Sequence, residues 1–391
     1  MVYNDFKGLK LPALGFGGMR LPTVQSSDEI CEKTVAEMVD FAFKNGINYF
    51  DTAFFYHAGQ SEISLGKVLS NYPRESWYLA DKFPGNFMEV VDGKLELDVT
   101  PMGMTARTYN SPKEIFEHQL ETCGVDYFDF YMLHQVSECT YDLYIDEKVG
   151  ILNYLLEEKK AGRIKYLGMS SHGRYETIDK FLTKYGEHIE YVMIQLNYLD
   201  WTLQEAGKKY EVLKKHKKPV FVMEPVRGGL LAAPGAEAEA VLKKARPNDT
   251  PVSWAFRFLQ SLPEVVVTIS GMSNMEQIIE NVDFYKKPDP VTGEEKVMLQ
   301  QIVDNMASFV PCTSCRYCTG ACPLKLDIPA LIATYNEASH GVTWYVKEFL
   351  GSLEDNKKPE ACTACGACNP LCPQDIDIPD TFKKFCDLIK E

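Results

Sequence analysis

From the N-terminus to about residue 285, short β-branched and aromatic runs alternate with longer amphipathic stretches. No other feature of the chain restricts its fold as strongly. NYFDTA (48–53), WYLADK (77–82), FDFYMLH (128–134), IKYLGMS (164–170), YVMIQLN (191–197), PVFVMEP (219–225) and VVVTIS (265–270) read as strands, each bounded by polar, Gly or Pro residues. An opening strand in LPALGFGGM (11–19) makes eight. DEICEKTVAEMVDFAFKNG (28–46) and YETIDKFLTKYG (175–186), the second stopped by Gly, read as helices between them. Eight strands alternating with helices over this length fit an α/β (β/α)8 TIM barrel better than an open sheet. The stretch 84–112 is long for a βα connection. In a barrel it would overhang the C-terminal face, as a substrate lid or a docking surface for the C-terminal tail.

KKPDPVTGEE (286–295) clusters Pro, Gly and charge and marks a domain boundary. A linking helix, EEKVMLQQIVDNMASF, follows it. The expected division is a barrel over 1–285, a linker and linking helix over 286–310, and a cysteine-bearing domain over 311–391. With 391 residues the chain has room for both. A formal net charge of -14 argues against nucleic acid or an anionic membrane as the main partner. The start, MVYNDFKGLKLP, lacks a basic segment followed by an apolar one, and no apolar run approaches the ~20 residues of a membrane helix. A cytoplasmic chain is expected.

In a barrel, reactive groups sit at the C-terminal ends of strands. Asp51 ends the second strand, Lys82 the third and His134 the fourth, while Ser170 and Ser171 end the fifth and Gln195 lies near the end of the sixth. Tyr56 follows in the loop after the second. Singly, each has an ordinary reading: a solvated loop lysine, a packed histidine, an aromatic wall of Phe54, Phe55 and His57 around Tyr56. Together they make chemical sense. Reducing a carbonyl by hydride needs a proton at the oxygen, and a phenol that titrates near ~10 when unperturbed can supply it if a neighbouring Lys⁺ favours the phenolate. Asp51 would hold Lys82 charged, and His134 would orient the substrate oxygen.

DTAFFYHAGQSE (51–62), LADK (79–82), DFYMLH (129–134), LGMSSHG (167–173), IQLNY (194–198), EPVRGGLL (224–231) and MEQIIEN (275–281) strongly resemble the motifs of the aldo/keto reductase family, in the family's order. The resemblance covers about residues 3–285. It implies a barrel that binds NADPH or NADH without a Rossmann fold and acts on a small carbonyl or alcohol. It also implies a catalytic tetrad of Tyr56, Lys82, Asp51 and His134. Matched motif by motif, Gly18, Met19, Arg20 and Asp51 lie toward the nicotinamide, and Ser170, Ser171 and Gln195 anchor its carboxamide. Met223 stands where many members place an aromatic that stacks on the ring, which is a departure. Glu224, Pro225, Val226, Gly228 and Leu230 belong to a pyrophosphate loop. Ser270, Gly271, Asn274, Gln277 and Asn281 lie at the start of the last helix, whose N-terminus can receive a phosphate. Where many members carry Lys and Arg for a 2′-phosphate, this chain has Gly271 and Gln277, so the choice between NADH and NADPH stays open.

Of the 12 cysteines, eight fall in two runs, CTSCRYCTGACP from Cys312 and CTACGACNPLCP from Cys362. Cys31, Cys123, Cys139 and Cys386 lie outside them and read as small packing residues. Regular spacing in a cytosolic chain argues against disulfides. Zinc is the structural alternative, but its sites usually pair two separated C-x2-C knuckles. C-x2-C-x2-C-x3-C-P, duplicated, is the run of two-cluster ferredoxins, in which the fourth cysteine of each run ligates the other cluster. Cys312, Cys315, Cys318 and Cys372 would hold one 4Fe–4S cluster, and Cys362, Cys365, Cys368 and Cys322 the second. Each run continues into an Asp-Ile-Pro triplet that looks like a helix start, and the intervening 328–351 is long and helical. The tail therefore resembles the α-helical ferredoxin domains attached to redox enzymes.

The expected whole is an oxidoreductase that reduces a carbonyl, or runs the reverse, joined to an electron-transfer tail with a ferredoxin or other redox protein as partner. A nicotinamide gives up two electrons together and a cluster takes one. Coupling the two would need a flavin, which no motif here indicates, or a substrate that accepts electrons singly. A flavin-mediated one-electron reductase using the same barrel is thus an alternative. A redox-responsive binding protein without turnover is another, and an intact proton donor counts against it. In a third reading the clusters are purely structural.

Overall fold

A computed structural model describes residues 1–25, 27–99, 104–138, 140–305, 310, 312, 316–339, 344–372 and 374–390. Cys139 and Cys315 lie outside the described residues. The chain divides into two compact units, Met1–Pro234 with Leu242–Lys296, and Gly235–Val241 with Val297–Glu391.

The first unit is a closed barrel. Its strands are β1 (Leu14–Gly17), β2 (Tyr49–Asp51), β3 (Tyr78–Phe83), β4 (Phe128–Leu133), β5 (Ile164–Ser171), β6 (Val192–Gln195), β7 (Val220–Met223) and β8 (Val265–Gly271). All eight are parallel and follow one another in chain order until β8 closes on β1. Each carries the apolar run expected of a strand buried on both faces. An antiparallel hairpin, Tyr3–Phe6 with Leu9–Pro12, precedes them. Its Phe6 plugs the N-terminal end, with ring centroids 5.1–6.1 Å from Phe130, Tyr166, Tyr191 and Phe221. That floor leaves the C-terminal ends of the strands for chemistry.

Two expected elements differ. The first helix runs Glu32–Lys44 rather than from residue 28, because Ile30 pairs with Thr23 in a bridge and is held out of the helix. The long stretch 84–112 is not a bare loop: Met88–Val91, Lys94–Leu97 and Arg107–Tyr109 form a three-stranded antiparallel sheet that buries Leu95, Leu97 and Tyr109. The ring of Phe87, at its start, meets that of Phe55 edge-on at 4.9 Å.

In the second unit the two Asp-Ile-Pro triplets open helices, Ile328–Ala338 and Ile378–Leu388. Asp377 accepts from the backbone of Asp380 and Asp327 from that of Ala330, capping the first turn in each case. A helix at Trp344–Ser352 lies between them in sequence. Leu326, Leu331, Ile332, Val346, Ile376 and Phe382 form the core. Among the described residues no helix is long and apolar enough to cross a membrane.

Outside β3 the barrel buries an unusual pair of acids. The helices Gln60–Leu69 and Pro112–Cys123 approach so closely that a Cβ on Gly66 would lie 2.2 Å from the Cys123 carbonyl oxygen. Glu62, Asp81 and Cys123 are enclosed there. Gln119 donates to Glu62 (3.0 Å) and to the Lys82 carbonyl (3.1 Å), and Asp81 accepts from the Lys82 backbone N–H (2.7 Å). Burial pushes Glu62 well above the carboxylate range, with the Asp81 charge adding to it, and pushes Asp81 up to about 7 against the pull of Lys82 and a hydrogen bond from Glu62. Near neutral pH the pair holds a proton that the unfolded chain would release. A folded pKa above the unfolded one makes stability fall as pH rises from the ordinary carboxylate range through about 7. Asp81→Asn retains the acceptor for Lys82 N–H and gives Glu62 a permanent donor. Chemical denaturation at a series of pH values should find this variant more stable than wild type at pH 8. The difference should shrink toward zero by about pH 4.

Candidate active site

Parallel register carries Asp51, Lys82 and His134 to one end of the barrel. Asp51 pairs with Ala80, and Lys82, two residues on, projects from the same face of β3 one step nearer the mouth. Lys82 donates to Asp51 Oδ1 at 2.6 Å and to the Thr52 carbonyl at 2.7 Å. Lysine and aspartate are 1% and 3% exposed, so the pair is sealed from water. Burial works against the Lys82 charge, but Asp51 and then Tyr56 outweigh it, and its pKa lies above the usual lysine value. Asp51 is raised by burial against the pull of Lys82, and its Oδ2 is buried with no hydrogen-bond partner.

Tyr56 opens a turn at Tyr56–Gly59, in which His57 and Ala58 have left-handed backbones. The Lys82 ammonium lies 4.7 Å from the centre of its ring. The phenol pKa lies above the ordinary tyrosine value rather than below it as the sequence suggested, because burial outweighs the lowering by the Lys82 charge. His134 follows β4 directly. Its ring stacks on Phe55 (5.0 Å between centroids, 11° between planes) and stands edge-on to Tyr56 at 6.5 Å. Burial, then the Lys82 charge, hold His134 well below the ordinary histidine pKa, so the imidazole is neutral. Its Nδ1 is buried without a partner. A proton on Nε2 therefore avoids a buried, unpaired N–H and leaves a donor.

Tyr144 was not anticipated. Its hydroxyl lies within hydrogen-bond reach of the carbonyls of Phe83 and His134 and accepts from Gly85 N–H, pinning the ends of β3 and β4 together. It comes from the short helix Tyr141–Ile145, and no strand-end pattern points to it.

Beside these residues lies a cavity of about 570 Å³. Of the positions expected to touch a cofactor, Met19, Arg20, Asp51, Met223, Glu224, Pro225, Val226, Gly228, Ser270, Gly271, Gln277 and Asn281 line it, as does Tyr56. Gly18, Ser170, Ser171, Gln195, Leu230 and Asn274 are not among its lining residues. Gly18 is a packing position, where a Cβ would lie 2.8 Å from the Asp51 carbonyl oxygen. Ser171 donates to the Val136 carbonyl at 2.6 Å, and Ser170 reaches that of Leu133 at 3.5 Å, joining β5 to the end of β4. Gln195 donates to Asp200 (2.7 Å). Leu230 lies in the turn Arg227–Ala232. Asn274 caps the helix Met275–Phe284, accepting from Gln277 N–H at 2.9 Å. Strand-end reasoning missed Thr250, Phe256 and Glu280, which reach the cavity from helices, with Thr250 donating to Glu280 at 2.7 Å. Arg20 is the one basic residue in the lining, opposed by Asp51, Glu224 and Glu280. Open glycine-bearing backbone, a capped helix start and a cavity of this volume suit a dinucleotide.

In the second unit, Cys322, Cys362, Cys365 and Cys368 line one cavity together with Leu324, Leu326, Ile328 and Phe382. Burial, and then charge on Cys362, Cys365 and Cys322, push the Cys368 thiol up. Four thiols from two distant runs, beside apolar walls and with Cys365 exposed, suit a cationic iron–sulfur core that neutralises them. Cys318 is buried, and Cys312 and Cys372 are partly so. Cys315 lies outside the described residues.

Residues 13–302 match the Aldo/keto reductase family, and residues 311–376 match a 4Fe-4S dicluster domain. A soybean (Glycine max) protein named "Probable aldo-keto reductase 1" is 34% identical over 167 residues, 42% of each chain. The "NADH-specific methylglyoxal reductase" of Escherichia coli (strain K12) is 27% identical over 287 residues, 65% of this chain and 82% of that one. The solved aldo-keto reductase AKR11C1 from Bacillus halodurans, in its holo form, superposes with a TM-score of 0.59 at 27% identity, covering 77% of this chain and 96% of that one. The chain is an oxidoreductase that belongs to the aldo/keto reductase family and carries a 4Fe-4S dicluster domain C-terminal to its barrel.

Proposed function

We propose that the barrel moves hydride between NADH and a small carbonyl or alcohol substrate, with Tyr56 as the acid–base group. The observation that carries this reading is the buried Lys82–Asp51 pair beneath Tyr56, edge-on to His134 and beside the cofactor-sized cavity. The nicotinamide, when bound, supplies the hydride. The protein has to supply the proton, and Tyr56 is placed to give it. Lys82 offsets the burial that would otherwise make the phenol too weak an acid. His134, neutral and with a free Nε2 donor, hydrogen-bonds and orients the substrate oxygen.

Met19, Arg20 and Met223 face the nicotinamide end, Ser170, Ser171 and Gln195 the carboxamide, and Glu224 through Leu230 the pyrophosphate, while Gly18 lets the turn pack on Asp51. Ser270, Gly271, Asn274, Gln277 and Asn281 take the adenosine end. NADH is favoured over NADPH on charge. A 2′-phosphate near Gln277 would meet the Glu280 carboxylate, and Arg20, the basic residue of the lining, lies against Gly271 but is already opposed by Glu224 at 3.9 Å. The E. coli relative is named NADH-specific.

In the tail, Cys362, Cys365, Cys368 and Cys322 hold one 4Fe–4S cluster, and Cys312, Cys315, Cys318 and Cys372 the other. The four-thiol cavity supports the first set. The clusters trade single electrons with a ferredoxin or similar carrier. A flavin, or a substrate that accepts electrons singly, joins that traffic to the barrel.

Anaerobic turnover of a carbonyl panel tests the barrel. Tyr56→Phe should lower kcat by about 10²–10⁴-fold while NADH affinity changes little. Wild-type protein that binds NADH and reduces no carbonyl would favour a binding role instead. Electron paramagnetic resonance of the dithionite-reduced full chain should show two interacting centres, and Cys365→Ser should remove one of them. Reduction of the same centres by NADH alone would establish the link between barrel and tail.

A further inference from the structure

One carboxylate outside the tetrad holds together two parts of the cofactor region. Asp200, fully buried, opens the short helix Asp200–Leu203. Its Oδ2 accepts from Gln195 Nε2 and from Asn197 Nδ2, both at 2.7 Å, and its Oδ1 accepts from Arg227 Nε at 3.0 Å. Asn197 in turn donates to the Glu224 carbonyl at 2.9 Å. The end of β6 and the loop after β7 are thereby tied to a single side chain. Gln195 is two residues beyond Met193, which lines the cavity, and so projects to the same inward face one step nearer the mouth.

An amide side chain can present either its oxygen or its NH2 to a ligand, and the two orientations differ little in shape. A carboxylate can only accept. With Asp200 holding Nε2, Gln195 turns Oε1 away from it, as an acceptor that the His172 ring also contacts and that has a second lone pair for a ligand. Resting on the nicotinamide reading above, we propose that Asp200 is the positioning residue that makes the site specific for a carboxamide. Gln195 Oε1 accepts from the carboxamide NH2, and the corresponding nicotinic acid, which has only acceptors there, is rejected. Arg227 neutralises Asp200 and holds the phosphate loop, without setting the amide.

The test is calorimetric titration of the anaerobically prepared full chain with NAD⁺ and with nicotinic acid adenine dinucleotide. Wild type should prefer NAD⁺ by about tenfold or more, the scale of an acceptor left facing an acceptor. Asp200→Asn, nearly the same shape, lets Gln195 turn over and should bring the two affinities within about threefold. Arg227→Gln should weaken both ligands and leave their ratio as in wild type, which a general loss of structure would not do. An unchanged ratio in folded Asp200→Asn overturns the inference alone, as does a collapsed ratio in Arg227→Gln. Wild-type protein that binds neither NADH nor NAD⁺ overturns the nicotinamide reading, and the inference with it.

Discussion

The chemistry at the barrel mouth depends on a lysine–aspartate pair with almost no access to water. Each ion loses several kcal/mol of hydration when buried, and the pair is tolerable only because its geometry is good and other partners complete it. The 2.6 Å contact between Lys82 and Asp51 and the 2.7 Å bond to the Thr52 carbonyl meet that demand. Both depend on β2 and β3 being adjacent and in register. The reward is a fixed positive charge beneath Tyr56 and near His134. The same charge partly offsets the burial that raises the phenol and adds to the burial that keeps the imidazole neutral.

The barrel wall behind Lys82 answers the problem differently. Glu62 and Asp81 have no buried cation bonded to them there and settle by retaining a proton. Asp200, also fully buried, accepts from Arg227 and from two amides. Three buried carboxylate environments in one barrel thus do three things: hold a lysine, store a proton, and orient an amide. The difference lies in the donors within reach of each.

Strand periodicity and punctuation made the barrel legible, because each strand buried on both faces needs an apolar run and each connection needs a polar break. The resemblance of short motifs then pointed to Asp51, Tyr56, Lys82 and His134, and the structure brings them to one end. Thr250, Phe256 and Glu280 escaped, since they reach the cavity from helices whose rotation about the barrel is set by packing. Tyr144 and Asp200 escaped for a related reason: each acts through contacts between segments far apart in sequence or through a turn with no periodic signal. In the tail, cysteine spacing and the Asp-Ile-Pro starts carried nearly all that the described residues display, including the convergence of Cys322 with Cys362, Cys365 and Cys368. The small sheet within 84–112 had a readable alternation of its own, obscured by the length of the segment.

That the Lys82 charge tunes Tyr56 is the center of this account, and the pH dependence of single-turnover hydride transfer tests it most directly. Wild type and Lys82→Met would be compared during reduction of one carbonyl substrate by NADH. In this direction the phenol must be protonated, so the rate falls at high pH as it ionises. Removing the ammonium should move this descending limb to higher pH and lower the rate on its plateau. A limb that stays where it was, with the variant folded and binding NADH, would contradict it.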